Sequence, residues 1–308
     1  MRAQTINKLE KLTPSEYKVK LSLLSREGAK AYGTKGQREV ILKTGTGANV
    51  ILDRILDGNY KMCDSLIVKR KNKYYLQLVY QFDKEVVETL DKYKVMGIDM
   101  GIVYPVYMAF NDSLNRYSIE GGEIDRFRKT VQARRNSMLK QGKYCGEGRK
   151  GHGRKTLLKP TEKLQGKIEN FKNSTNHKYS KYVVDMAVKH NCGVIQMEDL
   201  TGISDGEKKG TFLGNWTYYD LQQKIRYKAE SKGIEVIMVK PNYTSQRCSK
   251  CGCINKKNRD AKVDQAKFKC VTCGFETNAD FNAARNIATP YIETIIKDQL
   301  EIQKKVVS

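Results

Sequence analysis

Between residues 17 and 82, apolar residues alternate with polar or basic ones in four runs: YKVKLSLL (17–24), REVILKT (38–44), CDSLIVKRK (63–71) and KYYLQLVYQF (73–82). A period of two turns one set of side chains to a core and the other to solvent. Each run therefore predicts a half-buried strand, with one short helix over NVILDRIL (49–56) between them. The outward positions are rich in Lys, which suits a solvated face or one held against phosphates. From Lys94 the pattern changes. KVMGIDMG (94–101) reads as a short apolar strand ending at an acid, and VYPVYMAF (103–110) and RYSIEGG (116–122) continue it into an antiparallel meander. Residues 161–190 predict one long helix, because Tyr179, Tyr182, Val183, Met186, Ala187 and His190 recur on one helical stripe. A strand, CGVIQME (192–198), a loop at 201–214, a helix from about Asn215 to Ser231 capped by Gly233, and a strand, IEVIMVK (234–240), follow. Trp216, Tyr218 and Tyr219 open that helix, where aromatics pack against a sheet more often than they stack on bases.

Charge adds a partner to this α/β pattern, which is α+β overall. The 308 residues hold 57 Lys+Arg against 34 Asp+Glu, a formal net charge of +23. Self-repulsion on that scale opposes a compact state unless a polyanion offsets it, which favours nucleic acid or an acidic surface and disfavours a small-metabolite enzyme. The excess is sharpest from Arg126 to Lys159, where twelve Lys and Arg face one acid, Glu147. Its first part, RFRKTVQARRNSMLKQ, has helical character, and GKYCGEGRKGHGRK (142–155) is Gly-rich and expected to be mobile. Arg126, Arg128, Arg134, Arg135, Arg149, Lys150, Arg154 and Lys155 are its candidate nucleic-acid contacts. No apolar run approaches the ~20 residues of a membrane-spanning helix. The opening MRAQTINKLEKLTP has no signal-peptide character. A cytoplasmic chain with reduced thiols is the expectation, so its eight Cys are candidates for metal ligation before disulfides.

Cys248-Ser-Lys-Cys251 and, eighteen residues later, Cys270-Val-Thr-Cys273 form two Cys-x-x-Cys knuckles. Four thiolates so spaced predict a closed, tetrahedral, structural Zn²⁺ site. Cys63, Cys145, Cys192 and Cys253 duplicate no ligand spacing. The basic content around the knuckles, Arg247 and Arg259 included, points to nucleic acid as the partner of this ribbon. His152, His177 and His190 have no metal-ligand spacing, and His190 reads as structural.

Three acids occupy special places: Asp99 and Glu198 each end a strand, and Asp280 opens a helix in NADFNAARN (278–286). Singly, each has a plain explanation; an acid in a first helical turn, for instance, is favoured by the helix dipole. Together they suit two Mg²⁺ ions about 3.5–4 Å apart, which need a few hard carboxylates converging from different elements to assist phosphodiester cleavage. Strands and helices in this order match a ribonuclease-H-like sheet.

The motifs GIDMG (97–101), IQMEDL (195–200), TSQRCSKCG (244–252), FKCVTCGFE (268–276) and NADFNAARNI (278–287) together resemble the split RuvC nuclease and zinc-ribbon motifs of the TnpB proteins of insertion sequences. They resemble still more closely the miniature type V-F CRISPR effectors, the Cas twelve f group, over residues 94–290 and more weakly over 17–90. The resemblance implies that Asp99, Glu198 and Asp280 bind two Mg²⁺, which Mn²⁺ can replace, and that the four Cys hold one Zn²⁺. It implies that Arg259 reaches toward the scissile phosphate, and that guide RNA and target DNA are partners of a prokaryotic protein acting at the nucleoid. The implied organisation is an unplaced segment (1–16), a partial wedge β-barrel (17–90), a RuvC nuclease (91–243 and 278–308) and an inserted zinc ribbon (244–277).

Members of that group begin with further wedge strands and a helical recognition domain, whereas fewer than 100 residues precede the nuclease motifs here. The chain thus resembles the C-terminal part of such an effector. A homodimer or a separately encoded recognition segment is the corresponding expectation. The leading function is an RNA-guided DNA endonuclease; the alternatives are a non-cleaving nucleic-acid-binding regulator and a remnant accessory protein of a CRISPR or insertion-sequence element. The presence of all three acids weighs against the regulator.

Overall fold

The computed structural model describes residues 2–3, 6–70, 73–84, 87–146, 153–200, 218–240, 242–259 and 264–307. The chain divides into two units, Met1–Lys84 and Glu85–Ser308.

The first unit holds the alternating strands in two three-stranded sheets. Strands β1 (Arg2–Ala3), β2 (Ile6–Thr13), β3 (Glu16–Ser22), β4 (Gln37–Lys43), β5 (Tyr60–Arg70) and β6 (Lys73–Phe82) pair in the orders β2-β3-β4 and β1-β5-β6. Helix α1 (Arg26–Ala31) precedes β4, and α2 (Thr46–Leu56) follows it. On β3 the period of two is sharp: Tyr17, Val19 and Leu21 are buried, and Lys18 faces outward to pair with Glu39 on β4. The Tyr17 hydroxyl donates to Asp53 of α2 at 2.8 Å, and Lys11 of β2 reaches the same carboxylate. Residues 6–13, within the stretch left unplaced by sequence, are thus a strand antiparallel to β3. Helix α1 also escaped the pattern, since it has no buried residue to create a stripe.

In the second unit, β7 (Asp91–Asp99), β8 (Val106–Phe110) and β9 (Arg116–Ile119) form the expected antiparallel meander, and β10 (Cys192–Glu198) and β11 (Glu235–Val239) add parallel strands beside β7. The order β11-β10-β7-β8-β9 is that of a ribonuclease-H-like sheet. Two long helices, α3 (Gly122–Gly146) and α4 (Gly153–Lys189), intervene before β10, and α5 (Tyr218–Ser231) links β10 to β11. Gly233, at φ +82°, ends α5 in a left-handed cap closed by the Ile234 N–H on the Ala229 carbonyl at 3.0 Å. One sheet face, with Met96, Ile98, Met108, Ile195 and Met197, packs on Tyr179, Val183 and Ala187 of α4 and on Leu221 and Ile225 of α5. Tyr182, placed on that stripe by sequence, is instead 37% exposed. His190 ends against Phe110 and the Tyr117 hydroxyl, a structural setting as expected.

Two helix expectations need correction. Helix α4 begins at Gly153, eight residues before the predicted start, and runs through Pro160; residues 142–146 belong to α3. The stretch expected to be mobile is therefore helical at both ends. Lys and Arg have good helix propensity, and stacking of Phe127 on Phe171 (ring centroids 3.8 Å apart) holds α3 to α4.

The other sheet face receives α6 (Ala279–Ile287), after the short hairpin β12 (Lys267–Lys269) and β13 (Glu276–Asn278); α7 (Ile292–Val307) closes the chain. Contact between α6 and the sheet is set by Gly97. A Cβ there would stand 2.2 Å from the Ala284 carbonyl oxygen and 2.3 Å from the Ala288 nitrogen, so no larger residue fits without moving the helix backbone. Gly97→Ala should destabilise the unit by about 1–3 kcal/mol or more, as overpacking does. The measurement is denaturant unfolding, with Gly193, where a Cβ would stand 2.8 Å from the Asp91 backbone at the far end of the sheet, as a less tight comparison position.

Candidate active site and metal centre

The three acids come from three elements. Met197 of β10 pairs in register with Ile98 of β7, so Glu198 and Asp99 lie side by side at the C-terminal ends of parallel strands, where open α/β sheets build their sites. Asp99 shares its strand face with Gly97, two residues back, and Asp280 shares its helix face with Ala284, four residues on. The close approach at Gly97 therefore carries Asp280 toward Asp99. Asn278 caps α6, its side chain accepting the Phe281 N–H at 3.0 Å, and fixes where that first turn begins.

The arrangement concentrates negative charge in a dry place. Burial, then Glu198 and Asp280, push the Asp99 carboxyl from its ordinary 3.8 up to about 7, while Arg259 and the Met100 N–H oppose the shift. Burial also raises Glu198, against a hydrogen bond from Thr244 and the charge of Arg259, and it raises Asp280 against Arg259 alone. Arg259 thus faces all three acids, and its buried Nε has no hydrogen-bond partner among the described residues. The carboxylates do not form a tight ligand group of the kind the thiols form. A hard oxygen-donor set short of positive charge fits divalent cations.

Other residues at the site carried no motif. Tyr218, at the start of α5, donates to the Gly101 carbonyl at 2.8 Å; its hydroxyl is pushed up to about 12 by burial and by Asp99. It packs at the sheet, as a helix-opening aromatic was expected to, whereas Tyr219 is exposed and Trp216 lies outside the described residues. Gln222 donates to the Glu198 carbonyl at 2.6 Å, and the Thr244 hydroxyl donates to Glu198 Oε1. Only strand register and helix packing bring these three to the acids.

The four thiols of Cys248, Cys251, Cys270 and Cys273 converge, all sulfurs lying within 4.8 Å of one another. The Cys248–Cys273 and Cys251–Cys270 separations are 3.8 and 3.6 Å. Four sulfurs about 2.3 Å from one tetrahedral ion would be about 3.8 Å apart. Each knuckle turns through a glycine at positive φ, Gly252 (+78°) or Gly274 (+68°), whose N–H closes on the carbonyl of the knuckle's first cysteine. Cys253 stays outside the tetrad and accepts a hydrogen bond from Thr272.

The predicted nucleic-acid contacts divide. Arg126, Arg134 and Arg135 are exposed along α3 and Arg128 is half-buried there; Arg154 and Lys155 fall in the first turn of α4; Arg149 and Lys150 lie outside the described residues. Arg247 is a correction. It is buried, bonded through Nη1 to Asn286 at 2.7 Å and through Nε to Gln299 at 3.0 Å, so it anchors the ribbon on α6 and α7 rather than facing a polyanion. Charge alone cannot separate a buried, hydrogen-bonded Arg from a surface one.

A ribonuclease-H-like sheet of RuvC type, with carboxylates at its strand ends and a four-thiol ribbon inserted before α6, defines the class. The family model described as "Cas12f1-like, TNB domain" matches residues 218–287, from α5 through the ribbon to α6. The CRISPR-associated endodeoxyribonuclease Cas12f1 of Sulfoacidibacillus thermotolerans is 51% identical over 295 residues, covering 95% of this chain and 68% of that protein. Cas12f1 of Syntrophomonas palmitatica is 40% identical over 328 residues, covering 92% and 64%. A cryo-EM structure of a Cas12f1-sgRNA-target DNA complex superposes with a TM-score of 0.69 at 26% identity, over 92% of this chain and 61% of that one. The chain belongs to the Cas12f1 family, and it spans about two thirds of the length of these relatives.

Burial of Asp99 has a cost that depends on pH. Between pH 3.8 and about 7 the folded state holds a proton that the unfolded chain has released, so stability without added divalent cation falls as pH rises through that window and stays low above it. Asp99→Asn should raise the melting temperature at pH 8 by roughly 2–4 °C for each kcal/mol relieved, and leave it unchanged near pH 4. Thermal scans of both proteins across that range are the check.

Proposed function

We propose that this chain is an RNA-guided DNA endonuclease whose second unit hydrolyses phosphodiester bonds. One observation carries the reading: Asp99, Glu198 and Asp280 converge from two strands and a helix, with Asp99 raised to about 7 and Arg259 facing all three. Relatives named endodeoxyribonucleases, and a solved relative in complex with sgRNA and target DNA, support it.

Asp99, Glu198 and Asp280 would hold a pair of Mg²⁺ ions; Mn²⁺ suits the same oxygens. Such ions supply activation of a water and charge stabilisation of the leaving oxygen. Arg259 offers its guanidinium to the scissile phosphate, for which its unpartnered Nε is suited. Tyr218 and Gln222 fix the backbone beside Asp99 and Glu198, so the carboxylates are held before substrate arrives. Guide pairing reads sequence, and the cations along α3, Arg126, Arg128, Arg134 and Arg135, hold the heteroduplex backbone. The tetrad holds one structural Zn²⁺, for which four thiolates are the usual set. A second copy of the chain is a further partner, which the mass of the RNA-bound protein in solution would report.

In Mg²⁺ with a co-expressed guide, target DNA should be cut. Asp99→Ala should reduce cleavage by more than about 100-fold, beyond the usual loss for an outer-shell partner of a metal ligand, while single-strand binding in a gel-shift assay stays near the parent's. Parent-level cleavage by that variant would exclude the site. The purified protein should carry one zinc per chain by elemental analysis. A strong zinc chelator should unfold the ribbon first, because metal binding is its main source of folding free energy.

A further inference from the structure

Thr244 lies between three parts of the molecule. Its side chain is 2% exposed, its hydroxyl donates to Glu198 Oε1, and its carbonyl accepts from Asn286 of α6 at 2.8 Å. Asn286 also donates to the Arg247 carbonyl at 2.7 Å and accepts from Arg247 Nη1. Asn282, one turn earlier, donates to the same carbonyl at 2.8 Å and accepts the Ser249 N–H at 2.9 Å. Arg247 and Ser249 flank Cys248, the first thiol of the tetrad. A continuous run of bonds therefore joins the knuckle, the helix that bears Asp280, and the carboxylate of Glu198.

We propose that Thr244 is a positioning residue for the catalytic cations, through which the folded ribbon sets the affinity of the acid triad; this rests on the carboxylate-site reading above. The chemistry is specific to a hydroxyl. Donation into Oε1 fixes the Glu198 rotamer and occupies one oxygen, leaving Oε2 as the donor toward a cation. Valine at this position would keep the shape and packing but lose the donor. The carboxylate would then turn freely, so it would present its oxygens to a cation less well. Serine would keep the donor. A role confined to packing would make the opposite distinction, with valine the milder change.

The test uses the full, zinc-loaded chain and Mn²⁺ as the probe, followed by electron paramagnetic resonance with and without a phosphorothioate single strand that resists cleavage. Thr244→Val should weaken Mn²⁺ binding about 10-fold, the lower end for loss of an outer-shell partner of a metal ligand. Thr244→Ser should stay within about 2-fold of the parent, the small residual of a retained donor. Zinc content and the melting profile of both variants should match the parent, and the Mg²⁺ concentration for half-maximal cleavage should rise with the Mn²⁺ constant. Parent-like Mn²⁺ affinity in Thr244→Val would overturn the positioning role while leaving the triad intact. Absence of saturable Mn²⁺ binding by the parent itself, with Asp99→Ala as the blank, would overturn the carboxylate-site reading and the proposal with it.

Discussion

The second unit depends on how closely α6 can lie on β7. A helix backbone meets a strand backbone there with no side chain between them, which only glycine at position 97 permits. Strand and helix periodicity then do the rest: the face that carries Gly97 also carries Asp99, and the face that carries Ala284 also carries Asp280. A packing constraint two residues from Asp99 thus brings the three carboxylates of the proposed site toward one another. The opposite sheet face, filled by α4 and α5, is an ordinary apolar core and holds β7 and β10 in the register that sets Glu198 beside Asp99.

Gathering those acids works against folding. Like charges in a partly dry pocket raise one another's proton affinity, and Arg259 is a partial counterweight. Such a cost is tolerable where the surrounding core is large and the charges are used, which is the usual relation between stability and activity at a catalytic centre.

The ribbon is braced to α6 and α7 as well as gathered around its own four thiols. Asn282 and Asn286, fully buried on α6, hold backbone groups on both sides of Cys248, and Arg247 fills the space between them and Gln299 of α7. Buried amides with every group bonded specify one docking geometry better than apolar contact would. Through this brace Arg259 and Thr244, which belong to the ribbon or its approach, come to face acids that lie on the sheet and on α6.

Much of this was written locally along the chain. Strand alternation, the Cys-x-x-Cys spacing, the acids at strand ends and helix starts, and the glycine cap at 233 each depend on neighbours within a few residues, and those elements formed where read, although β4 is exposed along most of its length rather than half-buried. Where reading failed, the deciding interaction came from far away. Strand β2 is defined by its partner β3, and the burial of Arg247 by two amides about forty and fifty residues on. Thr244, Gln222 and Tyr218 are unremarkable residue types in sequence, and they gain a role only from what stands opposite them. Local pattern was enough to name the groups that could bind metal and to place most of the elements. That Asp99, Glu198, Asp280 and Arg259 face one another was legible only in three dimensions, because convergence depends on strand register and on one close backbone contact, and neither has a local signature.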